Sequence, residues 1–265
     1  MDILKRDLAP ISDAAWKEID EMARETLAAN LSGRKFLDVS GPHGIGYTSV
    51  DLGRLSLSKD QKKDEVRYGV YMVQPLVESR IGFSLKTWEL DNIERGALDI
   101  DLTPVVTAAK KMAAFEETAI FKGFKPGMIT GIQDAVDSEK IPLKLENAAI
   151  VDAVSEAKTR LLAEGVRGAS NLIVNSELWK FMGRPTPGGS LKTLVEKQIE
   201  GKVIYSGFVD TALLASDRGG DFELTLGQDL SIGYHHHDSE EVHLFFSESF
   251  SFRVITPEAL VCFSM

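Results

Sequence analysis

"ASDRGGDFELTLGQDLSIGYHHHDSEEVHLFFSESFSF", residues 215–252, decides the fold, and it holds four of the chain's five histidines: His235, His236, His237 and His243. Leu230, Ile232 and Tyr234 alternate on one run, and Val242, Leu244 and Phe246 on the next, a period-two β pattern. Asp238-Ser239-Glu240-Glu241 supplies the turn. A four-residue turn sets His236 opposite His243 and sends His235 and His237 to the other face. Cross-strand imidazoles can ligate a metal when neutral. Three or four ligands do not converge within one such hairpin, so no metal site is assigned. The cluster reads as a solvated hairpin tip, with weak or adventitious metal binding as the alternative.

Outward from this stretch the pattern is mixed. From residue 202 onward it is β: KVIYSGFV, ALLAS, FELTLG, LSIGY, VHLFFSESFSFRV and ALVCF. The N-terminal third opens on a helix. Ser12 and Asp13 are good N-caps, and Trp16, Ile19, Ala23, Leu27 and Leu31 recur at three- and four-residue steps. That stripe either covers its own core or partly faces a groove. A short strand is expected at 35–39, then a glycine-rich turn at 41–46 that lacks the order of a dinucleotide loop. Residues 47–83 alternate like β-structure around the polar run 58–65, a long hairpin with a charged tip. Isolated ribbons are marginal in water, so this one needs something else to lie on, such as a neighbouring subunit.

Helices are expected over 85–95, from Thr103-Pro104 to Gly123, from Asn147 to Glu164, from Ser176, and over 190–200, with a buried strand at 171–175. Gly183-Arg184-Pro185-Thr186-Pro187-Gly188-Gly189 is the strongest loop signal. Helices and strands do not alternate regularly, so the fold class is α+β.

The 265 residues suffice for one large domain or two intimate ones. No apolar run reaches the roughly 18 residues of a membrane helix. The start lacks a signal-peptide pattern, and Cys262 is the single cysteine. The expected location is the cytoplasm. The net charge of −10 argues against nucleic acid as a partner, because phosphate neutralisation needs basic groups. No P-loop, H-E-x-x-H helix, nucleophile elbow or EF-hand loop occurs. The acid pairs Glu116-Glu117 and Glu240-Glu241 read as surface charge. Nothing in the sequence argues for an enzyme.

The run Ala215 to Tyr234 closely resembles encapsulins, shell proteins of bacterial and archaeal nanocompartments. So do Leu8-Ala9-Pro10-Ile11, Gly33 to Val39, Gly41-Pro42, Trp88 to Gly96, and Glu248 to Phe252. The resemblance implies the fold of a tailed-bacteriophage major capsid protein. It divides the chain into 1–46 (N-terminal helix and start of a peripheral domain), 47–83 (extended hairpin loop) and 84–131 (peripheral domain with a spine helix). An axial domain at 132–212 and a peripheral β-sheet at 213–265 complete it. It implies a closed icosahedral shell of about sixty identical subunits, enclosing a cargo enzyme such as a dye-decolourising peroxidase or a ferritin-like protein. Rival readings are a viral capsid protein that packages DNA and a metal- or iron-storage protein.

The resemblance also implies sites. A cargo peptide would bind at Leu27, Leu31, Arg34, Asp38, Asp229, Leu230, Ser231 and Ile232, unless Arg34 and Asp38 simply pair with each other. Residues 183–189 would line a five-fold pore. Trp88 is either core or an exposed indole that stacks a planar ligand such as a flavin, with Arg80 meeting a phosphate. No cofactor is required.

Overall fold

The computed structural model describes residues 2–59, 61–62, 65–136, 139–186 and 189–265. In chain order its elements are α1 (Asp13–Asn30), β1 (Asp38–Ser40), β2 (Ser49–Leu57), β3 (Gly69–Pro75), β4 (Val77–Lys86), α2 (Thr87–Glu94) and α3 (Thr103–Lys122). There follow β5 (Ile141–Pro142), α4 (Asn147–Ala163), β6 (Ser170–Val174), α5 (Ser176–Met182), β7 (Pro185–Thr186), β8 (Gly189–Ser190) and α6 (Leu191–Ile199). The last third holds β9 (Val203–Tyr205), β10 (Ala212–Ser216), β11 (Phe222–Leu226), β12 (Ser231–His237), β13 (Glu241–Val254) and β14 (Leu260–Ser264). Among the described residues no helix is long and apolar enough to cross a membrane.

The first sheet is organised by β13. Its Phe250 pairs with Leu226 on one side and Val77 on the other, and its Phe246 with Ile232 and Ile81. A strand has two edges, so β4 runs along one and β11 and β12 follow each other along the other. Between them the chain leaves the ladder at 227–230. Gly227 and Gln228 still donate their N–H groups to Ser249, to its carbonyl and its hydroxyl. β1 adds to β11 in parallel. Ile232, Val242, Leu244 and Phe246 pack against α1, α2 and the first half of α3 in one apolar cluster. The hairpin alternation expected from sequence is thus present, and His236 pairs with His243 as expected.

The second sheet has the order β5-β14-β10-β6-β9. It packs with α4, α5, α6 and the end of α3 in the larger apolar cluster. Strand β6, the expected NLIV segment, is buried along its whole length. The pairing in the two sheets corrects two boundaries. The 213–265 segment is not one sheet: β10 and β14 pair with each other and with β6 and β5. Period-two patterns give strand existence but not partner choice. The 47–83 hairpin is shorter than expected, because β2 and β3 pair only from Ser49 to Pro75. From Val77 the chain joins β13 instead. The expected strand at 35–39 is also displaced. Gly33–Lys35 is a 3-10 turn and the strand begins at Asp38.

Local caps explain several helix starts. The Ser12 hydroxyl accepts from Ala15 N–H at α1, Asn175 from Leu178 N–H at α5, and Ser190 from Thr193 N–H at α6. Asn147, where this helix is expected to begin, is the first residue of α4, and no side chain caps it. Gly123 closes α3 at φ 83, in the left-handed region that favours glycine.

Phe245 on β13 lies between two glycines, Gly233 on β12 and Gly82 on β4. Its ring occupies the space over Gly233, where a Cβ would stand 2.3 Å from it. Arg80 stacks on the ring at 4.4 Å. Gly233→Val is expected to cost about 1–3 kcal/mol of stability through overpacking. Gly46→Ala, with open space around it, stays within about 0.5 kcal/mol. Thermal melting of the two variants beside the parent protein checks both.

Candidate functional site

Helix α1 and the segment 229–232 enclose a groove of about 430 Å³. Ala23, Leu27, Ala28 and Leu31 form one wall, Leu230, Ser231 and Ile232 the other, and Phe246 lies between. The break at 227–230 creates the second wall, because it turns Asp229 and Leu230 out of the ladder. The N-terminal segment closes one end. Tyr234 N–H donates to the Leu4 carbonyl, and Arg6 grips Asp20 through two hydrogen bonds of 3.0 and 2.7 Å while stacking on Trp16 at 3.8 Å.

Arg34 stands at the other end and is the hub of a charge cluster. Its guanidinium donates to Glu116 at 2.5–3.1 Å, to Glu248 at 2.6 Å and to Asp229 at 2.8 Å. Glu116 and Glu248 are both 0% exposed, whereas the Asp229 side chain is 44% exposed on the groove side. Burial works against the charge of Arg34, but the hydrogen bond to Glu116 and the three surrounding carboxylates outweigh it and raise its pKa. Burial pushes the Glu248 carboxyl well above the usual range, and Glu116 beside it adds to the shift. Its Oε2 has no hydrogen-bond partner among the described residues.

Glu117, the next residue on α3, faces a different neighbour. It accepts from the Gly33 N–H at 2.7 Å and from the Ser32 hydroxyl. It thereby pins the turn that ends α1 and carries Arg34. Burial raises its pKa from the ordinary 4.5 to about 7, although the bonds from Ser32 and Gly33 work the other way. The expectation that Glu116-Glu117 is surface charge is therefore wrong. Both are 0% exposed, because α3 runs between α1 and the first sheet and two neighbouring positions face partners.

The structure gathers seven of the eight expected peptide-site residues, Leu27, Leu31, Arg34, Asp229, Leu230, Ser231 and Ile232, around one groove. Asp38 is not among them. It accepts the Gly220 N–H at 2.6 Å in an adjoining cleft of about 240 Å³ that Arg34 also borders. Arg34 bonds the three acids of its cluster, so the simple Arg34–Asp38 pair is not what forms. Glu116 and Glu248 were missed. A carboxylate among Phe246, Phe250 and Phe252 on an inward-facing row was the signal that could have found Glu248.

Trp88 is not core: it is 71% exposed, with Arg95 over its ring at 5.6 Å. Arg80 pairs with Glu78 and stacks on Phe245. At about 3.3 Å per residue along β4, Arg80 lies about 20 Å from the strand end that leads to Trp88. The two do not meet one ligand within one chain. Of the expected pore loop, Gly183, Arg184 and Pro185 are exposed, and Pro185–Thr186 pairs with Gly189–Ser190. Pro187 and Gly188 lie outside the described residues.

The arrangement of two sheets, a long helix between them and a projecting ribbon is the fold of tailed-bacteriophage major capsid proteins. A virus-like particle from Pyrococcus furiosus superposes with a TM-score of 0.65 at 16% identity, covering 94% of this chain and 98% of that one. The capsid of Myoviridae phage XM1 gives a TM-score of 0.53 at 12% identity, covering 88% and 90%. Sequence narrows the class. The family profile described as an encapsulating protein for peroxidase matches residues 1–251, and the chain belongs to that family. The type 1 encapsulin shell protein of Rhodospirillum rubrum is 42% identical over 98% of this chain and 96% of its own length.

Two substitutions test the charge cluster. Arg34→Ala leaves two buried carboxylates unpaired, with an expected loss of about 3–5 kcal/mol. The loss shrinks as pH falls, because the Glu248 carboxyl, whose pKa burial raises, takes up a proton once Arg34 is gone. Glu117 holds its proton more tightly folded than unfolded, so its contribution to stability declines as pH rises from 4.5 through about 7. Glu117→Gln removes that dependence, so its melting temperature gains on the parent protein's from pH 5 to pH 8. The full span is on the order of 3 kcal/mol. Melting curves at several pH values read both effects.

Proposed function

We propose that this chain is the shell subunit of a closed icosahedral compartment of about sixty copies, a structural role rather than an enzymatic one. The observation that carries this is the β2–β3 ribbon. Its two strands pair with each other over Ser49–Pro75, and it exposes Leu55, Leu57, Tyr68, Val70, Tyr71, Met72 and Val73, with Tyr71 78% exposed. A two-stranded ribbon with that much apolar surface is not stable in water by itself. A neighbouring copy of the same chain supplies the missing cover, and closed symmetry ends the growth.

The groove beside α1 is the proposed seat of a cargo enzyme's terminal peptide. An extended chain places alternate side chains into apolar pockets, which suits Leu27, Leu31, Leu230 and Ile232. Asp229 offers an exposed carboxylate at the same edge. The cargo is proposed to be of the dye-decolourising peroxidase or ferritin-like kind. The loop at 183–189 is proposed to border the pore through which small molecules or ions pass. The compartment is proposed to lie in the cytoplasm, in keeping with a single cysteine, Cys262, that is buried and forms no disulfide. Packaging of DNA is not favoured by a net charge of −10. A flavin, if bound, stacks on Trp88 without Arg80, and flavin absorbance carried through gel filtration reads it.

Sedimentation of the purified protein tests assembly. The expected particle has close to sixty times the mass of one chain, and a monomer or dimer contradicts the proposal. Tyr71→Asp with Val73→Asp is expected to shift the protein to small species while circular dichroism stays unchanged. Leu27→Asp with Leu230→Asp is expected to leave the shell intact and lower co-purifying cargo on the order of tenfold.

A further inference from the structure

The hairpin tip carries a feature that lies outside both the ribbon and the groove. Along β12 the pairing steps from Tyr234–Leu244 to His236–His243, leaving His235 as one extra residue. Consecutive residues of a regular strand point to opposite faces. A bulge re-aims one of them, and here it sets His235 and His236 side by side. Their Nδ1 atoms are 2.9 Å apart. The His236 ring also stacks on His243 of β13, at 4.2 Å and 10°. The expectation that His235 lies on the far face with His237 is thereby corrected. His237 alone turns away, its Nδ1 at 2.6 Å from the Tyr234 hydroxyl.

We propose that His235 and His236 form a two-imidazole site for a divalent transition-metal ion of tetragonal preference, of the nickel and copper type, with His243 as the stacked support behind it. The spacing lets both nitrogens reach one ion, and the choice of class rests on the ligand type. Two nitrogens about 2.0–2.1 Å from a metal are about 2.9 Å apart at neighbouring corners of a square and about 3.3 Å apart on a tetrahedron. The rings now share a hydrogen bond. A small rotation of each turns both Nδ1 atoms to one ion, the shared proton moving through solvent to the Nε2 of the same ring, so that both imidazoles bind neutral. Copper(II) and nickel(II) suit tetragonal nitrogen sites, and copper(II) binds such ligands most strongly. Among the described residues no three His, Cys, Asp or Glu side chains form a ready metal-holding group, so water completes the shell.

The surroundings fit a cation. Asp238, Glu240 and Glu241 form the turn, with the Asp238 carboxylate 3.5 Å from His243 Nε2. Two backbone N–H groups, of Glu240 and Glu241, hold the Asp238 carboxylate in place. Lys86, opposite Glu241 on β4, is the nearest basic residue in the ladder. The three clustered imidazoles are exposed or half-buried, so binding requires no opening of the core.

Equilibrium dialysis of assembled protein without a histidine tag against copper(II), followed by electron paramagnetic resonance of the frozen sample, tests the site. The expected result is about one tight ion per chain with hyperfine coupling to two imidazole nitrogens. His235→Ala with His236→Ala is expected to lower affinity on the order of tenfold or more. His235→Asn serves the same purpose with less change to the bulge, and His43→Ala, far away in the loop after β1, should have no effect. Binding that is equal in the parent and both tip variants, or a spectrum with oxygen coordination alone, means an adventitious ion only and overturns the proposal.

Discussion

Glu248 sits at the centre of the longest strand, in a row with Phe246, Phe250 and Phe252 that faces the helices. A carboxylate there has lost its water, and everything around it must neutralise it. Arg34 does so from the turn after α1, reaching Glu116 on α3 and Asp229 beyond the break in the β11–β12 edge at the same time. One guanidinium thus ties together the first helix, the spine helix, the central strand and the groove wall. Removing any one partner strands the others. A buried ion cluster of this kind is weak evidence for net stability; what it supplies is position. The end of α1, and with it Leu27 and Leu31, stands where it does because Arg34 and the Glu117-held turn allow only one placement.

Much of the fold was legible before any coordinates. Alternation in 230–246 gave the hairpin and its register, since a one-residue slip would turn every apolar residue outward. Ser12 marked a helix start because a hydroxyl can satisfy an orphan N–H. The groove residues came from a family resemblance, and seven of the eight lie together. The misses share one cause. Pairing between distant segments leaves little local trace, so β10 and β14 were assigned to the wrong sheet. The partners of Arg34 are 82 to 214 residues away in sequence. Glu116-Glu117 looked like surface because charge is usually exposed, and only tertiary packing overrides that prior. The bulge at His235 was invisible, because nothing in three consecutive histidines says which one falls out of register.

The molecule divides its surface by what each part lacks. The apolar clusters of the two sheets are complete. The ribbon is not: its apolar side chains project from a ladder that has no helix behind it. The groove beside α1 is lined but open, with apolar walls and one exposed carboxylate. On the proposed reading another copy of the chain completes the ribbon, and a short peptide completes the groove. These two unfilled surfaces fit the shell-protein family to which the chain belongs.

Electron cryomicroscopy of the assembled particle tests the central claim most directly. The account predicts a closed icosahedral shell in which Tyr71 and Val73 of each ribbon are buried against a neighbouring copy. A particle that leaves those side chains in solvent, or a protein that forms no closed particle at all, would contradict it.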